Sequence, residues 1–135
     1  MLDTNAVSAL IRNSGVASLA LARELTHRNH CISVITEAEI RFGICRRVLD
    51  RRLEAVVERF LSTVDILAWS SACARRYGVL RAALESSGQP WAPMDLMIAS
   101  HALAEGCTLV TADKAFLRVP ELRVMHPGEP SQNAP

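Results

Sequence analysis

Apolar positions along this chain change their spacing several times, and each change marks an element. Met1 and Leu2 run straight into Asp3, and Thr4-Asn5 separate this short apolar start from the helical spacing of residues 6–12. Asn13-Ser14-Gly15 breaks that helix, and helical spacing resumes from Val16 to Arg28. Residues 31–34 form a short apolar run of strand type. Thr36 followed by Glu39 has capping-box spacing, which predicts a helix opening at Thr36 with Ile40, Ile44 and Val48 turned inward. A charged helix is expected over residues 50–61, an edge strand over 64–67 and a long helix over 70–84, stopped by Ser86-Ser87-Gly88. Pro93 suits the first turn of a helix running from Met94 to Glu105, with Gly106 as its terminator. Residues 107–111 read as the clearest buried strand, 112–116 as a turn or short helix, and 122–125 as a last short strand. The Pro-, Gly-, Ser- and Asn-containing residues 127–135 are expected to form a flexible tail.

Strands alternating with helices imply an α/β fold, with a parallel sheet covered by helices on both faces. At 135 residues the chain is sized for one domain. Half of it is hydrophobic and 21% is charged, an ordinary globular balance. It has no apolar run of membrane-spanning length and no signal-peptide pattern, so a cytoplasmic protein without a membrane partner is expected. The four cysteines (Cys31, Cys45, Cys73 and Cys107) include no C-x-x-C pair. They are expected to be free thiols packed as small hydrophobes, since a zinc site would want closer pairs. His27, His30, His101 and His126 lack ligand spacing and are read as surface or helix-face residues. Net charge is only +1, yet Lys114 is the sole lysine and the other cations are arginines, clustered at Arg46, Arg47, Arg51 and Arg52. Arginine's planar fork suits phosphate oxygens, although a solvated helix face accounts for the cluster equally well.

Four acids stand out by position. Asp3, Glu39, Asp95 and Asp113 each fall at a strand end or in the first turns of a helix, places that face one edge of a parallel sheet. Each has a bland explanation as a helix cap or dipole partner; four at one edge are harder to dismiss. Carboxylates gathered there raise one another's pKa values unless a cation neutralises them, and hard oxygen ligands suit Mg²⁺ or Mn²⁺. Glu37 competes with Glu39, and spacing alone does not choose between them.

Leu2-Asp3-Thr4-Asn5, the run Ser33 to Gly43 (SVITEAEIRFG), Pro93 to Ala99 (PMDLMIA) and Thr108 to Phe116 (TLVTADKAF) together resemble the PIN-domain ribonucleases, in particular the VapC toxins of bacterial toxin–antitoxin pairs. The resemblance covers residues 1–125 and rests on four motifs in order. It implies a PIN domain over residues 1–126, folded as a three-layer α/β/α sandwich around a parallel sheet of four to five strands. It places the catalytic acids on Asp3, Glu39, Asp95 and Asp113, with Asp3, Asp95 and Asp113 as metal ligands. Asn5 and Thr111 match polar positions flanking the metal. The implied activity is Mg²⁺- or Mn²⁺-dependent hydrolysis of RNA, a transfer or ribosomal RNA, leaving a 5′-phosphate and a 3′-hydroxyl. The implied partners are a VapB-type antitoxin and a second copy of the chain, and Arg46 and Arg47 become candidate RNA contacts.

Other readings fit less well. A receiver domain wants an acidic pair after its first strand, and Leu2-Asp3-Thr4 supplies one acid. A haloacid-dehalogenase-type phosphatase wants D-x-D, and Asn5 stands where the second acid belongs. A PIN-like domain that only binds RNA or a partner is the remaining alternative, disfavoured by four retained acids.

Overall fold

The computed structural model describes residues 1–12, 30–46 and 51–127. The expected helix over 16–28, together with Val48, Arg47 and nearly all of the tail, lies outside them. The described elements, in order, are α1 (Thr4–Arg12), β1 (Cys31–Ser33), α2 (Val34–Cys45), α3 (Arg51–Leu61), β2 (Asp65–Leu67), α4 (Ser71–Ser86), α5 (Pro93–Ala104), β3 (Leu109–Val110), a 3₁₀ turn (Lys114–Arg118) and β4 (Val124–Met125).

The sheet is assembled around one residue. β1 pairs in parallel with β2, and β3 pairs in parallel with β4. Leu2 bridges the two pairs, in parallel with Ile32 on one side and with Val110 on the other. The amide of Leu2 donates to the Cys31 carbonyl at 2.9 Å, and the amide of Asp3 to the Val110 carbonyl at 3.1 Å. The order is therefore β2, β1, the Leu2 position, β3, β4, five parallel positions with the N-terminal segment in the middle.

Side-chain alternation then sorts the core into two layers, because successive strand residues point to opposite faces. Leu2, Ile32 and Val110 pack with Ala6, Val7, Ile40, Val57 and Leu61 from α1, α2 and α3. Met1 and Leu109 pack on the other face with Leu80, Leu84, Leu96, Ile98, Ala99 and Ala102 from α4 and α5. This is the expected three-layer sandwich.

Several local expectations are corrected. α2 opens at Val34, not Thr36: the Ser33 hydroxyl caps it by accepting from the Ile35 amide at 3.0 Å. Thr36 is buried, with its hydroxyl unpartnered. A serine directly before the helix competes well for the cap, since its oxygen reaches the free amides of the first turn. Of the cysteines only Cys73 is buried; Cys31 and Cys107 are half-buried and Cys45 is exposed, all as free thiols. His101, expected near the surface, is completely buried.

Candidate active site

Each candidate acid is delivered by a different piece of backbone. Asp3 ends the central strand position and caps α1: its Oδ1 accepts from the Ala6 amide at 2.6 Å, and its carbonyl accepts from the Val7 amide at 3.1 Å. It is 3% exposed, the only acid buried to that degree among the described residues. Glu39 lies in the second turn of α2, where its Oε2 accepts a hydrogen bond from the Thr4 hydroxyl. Asp113 caps the 3₁₀ turn after β3, its Oδ1 accepting from the Ala115 amide at 2.8 Å while its own amide donates to the Thr111 hydroxyl at 3.0 Å. Asp95 sits in the first turn of α5, which follows α4 directly; unlike the other three, it has no strand immediately before its element.

The four carboxyls share one electrostatic neighbourhood. Burial pushes Asp95 above the ordinary carboxyl value, and the charges of Glu39, Asp113 and Asp3 push it further. Burial likewise raises Asp3; the Thr111 hydroxyl and the Ala6 amide pull it back, and the charge on Asp113 adds to the rise. Such convergence of acids is the electrostatic signature of a cation-binding or acid–base site. The donor set also fits the expected ion: four carboxylates, hard oxygen donors, of which Asp3, Glu39 and Asp113 are oriented by backbone amides or hydroxyls.

Glu37 is paired elsewhere. It forms an ion pair with Arg41 at 2.8 Å, and Arg41 also reaches Glu58 at 2.7 Å. Thr111 is buried beside Asp3. Asn5 has an exposed side chain and reaches Asp3 through its backbone amide. Arg46 is exposed at the end of α2, its guanidinium 5.6 Å from the centre of the Phe42 ring. Three neighbours of the acids were not foreseen. Thr4 belongs to the first motif, but nothing in its spacing tells which acid it meets. Arg118 and Trp91 line a hollow with Asp95 and Asp113, and Trp91 is fixed edge-on against Phe116 at 5.1 Å. On the other flank, Arg12, Ile11, Ile40, Ile44 and Leu53 line a groove that reaches Glu39.

Comparison with known proteins agrees with this architecture. The sequence profile described as "PIN domain" matches residues 1–122. The chain is 38% identical to the tRNA(fMet)-specific endonuclease VapC of Shigella flexneri, covering 91% of this chain and 93% of that protein. It is 38% identical to ribonuclease VapC2 of Rickettsia felis, over 90% of this chain and 92% of the relative. Its fold superposes with a TM-score of 0.85 on a chain of the Rickettsia felis VapBC2 complex bound to a DNA fragment from its promoter, at 34% identity and with 93% and 96% of the two chains covered. With profile, relatives and fold in accord, the chain belongs to the PIN-domain family, within its VapC group.

Proposed function

We propose that this chain is a Mg²⁺- or Mn²⁺-dependent endoribonuclease, the toxin of a toxin–antitoxin pair, which cuts a transfer or ribosomal RNA and is neutralised by a VapB-type antitoxin. The observation that carries the reading is the electrostatic coupling of Asp95 to Glu39, Asp113 and Asp3. Relatives support it: the Shigella flexneri protein is named for transfer RNA cleavage, and solved neighbours are VapBC complexes.

In this reading Asp3, Asp95 and Asp113 hold the cation and Glu39 completes the acidic edge. When bound, the ion supplies Lewis acidity: it acidifies water for attack and offsets charge growing on the phosphoryl oxygens. The remaining work belongs to the chain. Thr4 orients Glu39, the Ala6 amide and Thr111 orient Asp3, and the Ala115 amide orients Asp113, so the carboxylates are set before substrate arrives. Glu39 is placed to accept the proton of the attacking water. Arg118, beside Asp95 and Asp113, is placed to steady a phosphate flanking the cut. Arg46 and Arg47 extend the contact to more distant phosphates, a term that weakens with salt. The groove lined by Arg12, Ile40 and Leu53 is the seat proposed for an antitoxin segment, which would then lie against Glu39.

The test is cleavage of initiator transfer RNA and of ribosomal RNA by the chain freed of antitoxin. Cleavage with Mg²⁺ or Mn²⁺, its loss in EDTA, and a drop on the order of a hundredfold or more in Asp3→Asn and Asp95→Asn are expected. Cleavage that persists in EDTA, or survives both substitutions, overturns the metal-site assignment. Tight RNA binding without any cleavage would instead favour a domain that only binds.

A further inference from the structure

A second group of ligand-type side chains lies in the seam between α4 and α5. Cys73 is in the first turn of α4, His101 in the third turn of α5, and Glu105 is the residue that terminates α5. One ligand atom from each lies within 4.8 Å of the others. His101 stands six positions beyond Asp95 on the same helix, roughly 9 Å along its axis, so the group is separate from the acidic edge. Cys73 and His101 are fully buried, whereas Glu105 is exposed and opens the group to solvent.

The histidine gives this cluster its meaning. Its Nδ1 is 2.8 Å from the Ser33 hydroxyl, and Trp69 holds the ring edge-on at 5.7 Å. Its Nε2 is buried with no hydrogen-bond partner. Leaving such an atom unsatisfied is costly, and an ion that took it as a ligand would remove that cost. Burial pushes the imidazole below its ordinary value, against an opposing pull from Glu105, which favours the neutral ring that metals require. Donation of Nδ1–H to Ser33 would fix the tautomer that presents a bare lone pair at Nε2, the usual arrangement around a metal-ligating histidine.

We propose that Cys73, His101 and Glu105 form a second cation site, for Zn²⁺ or a similar borderline transition ion, with its fourth position open to water on the Glu105 side. Thiolate, imidazole and carboxylate are the three donors zinc accepts, and the sulfur disfavours Mg²⁺. Tetrahedral ligands at zinc bond lengths stand roughly 3.3–3.7 Å apart. The ligand atoms already lie within 4.8 Å of one another, and the exposed Glu105 side chain is free to move in closing the site. Binding releases the Cys73 thiol proton to solvent, and the Ser70 hydroxyl, 3.3 Å from the sulfur, is placed to donate to the resulting thiolate. The ion would pin the start of α4 to the end of α5, the helix that presents Asp95. Residues this far apart in sequence escape any spacing rule, because the helix pair alone brings them together.

The test is titration of the full chain with Co²⁺, a spectroscopic stand-in for Zn²⁺, in excess Mg²⁺ that fills the acidic edge. A thiolate-to-cobalt charge-transfer band saturating near about one equivalent and bleached by Zn²⁺ is expected. It should vanish in Cys73→Ser, stay unchanged in Cys31→Ser and Asp95→Asn, and require on the order of tenfold more Co²⁺ in Glu105→Gln. The exposed Glu105 position keeps the test decisive should Cys73→Ser fail to fold. Absence of the band in the unsubstituted chain, its persistence in Cys73→Ser, or equal affinity in Glu105→Gln overturns the proposal.

Discussion

At the scale of single residues, Asp3 combines two tasks that pull against each other. Its carboxylate caps α1 through the Ala6 amide, which favours the charged form, while burial disfavours it. Asp95 has no such opposing hydrogen bond: burial and the charges of Glu39, Asp113 and Asp3 all disfavour its charged form, and both carboxyls stand above their ordinary value of 3.8. The folded chain thus keeps protons that the unfolded chain has released, so ionising these acids costs stability that returns as pH falls through their raised values. In EDTA, Asp95→Asn should therefore melt above the unsubstituted chain at pH 7, by a few tenths of a kcal/mol to about 1 kcal/mol given partial solvent screening. The gap should close as the pH approaches 4. The difference between the two melting curves is the quantity to follow, because His101, held below its ordinary value, destabilises the fold in the opposite sense below about pH 6.5. Asp95→Asn should thus gain stability and lose activity together, as expected where charge is concentrated for function. Thr4→Val should lower kcat about tenfold with little change in melting, since it removes only the hydroxyl that orients Glu39. All four acids were picked out in the sequence as strand-end or early-helix positions; Asp3, Asp95 and Asp113 stand at element boundaries and Glu39 in the second turn of α2. Spacing alone did not choose Glu39 over Glu37, since it puts them on different sides of α2; the family resemblance made that choice, and Glu37 is engaged by Arg41.

Among the elements, the strands are very short and the sheet depends on a single bridging residue. Leu2 is 1% exposed and joins two strand pairs that do not otherwise touch in the ladder. Leu2→Ala should cost about 3 kcal/mol in chemical denaturation, the usual range for a fully buried leucine. It should also weaken cleavage, because Asp3 is held by the same segment. Strand positions were readable from short apolar runs, and the central place of Met1-Leu2 follows from strands reaching it on both sides. The start of α2 was misplaced because Thr36 and Glu39 mimic a capping box, while Ser33, two residues into an apparent strand, supplies the actual cap. α5 hid its histidine for a related reason. Leu96 and residues 98–102 are all buried, so apolar residues surround much of the helix and no polar stripe marks which side His101 faces. Helices buried on most sides give no amphipathic pattern to read.

Over the whole molecule, a net charge of +1 conceals a division of labour: acids converge at one site, with Arg12 in the groove beside Glu39 and Arg118 in the hollow beside Asp95 and Asp113. RNA is a polyanion, so a bare acidic edge repels it; with a divalent ion the edge becomes attractive and the flanking arginines can act. Binding of RNA should therefore require the ion and weaken steeply with salt, measurable by fluorescence anisotropy of the unsubstituted chain on an uncleavable RNA analogue, with the ion and in EDTA. The central claim is that four carboxylates from separate elements make one metal site, and Mn²⁺ titration followed by electron paramagnetic resonance tests it most directly. Asp3→Asn and Asp95→Asn should each weaken Mn²⁺ binding by on the order of tenfold or more, while Glu37→Gln binds like the unsubstituted chain. Equal Mn²⁺ affinity in all four proteins would contradict the account.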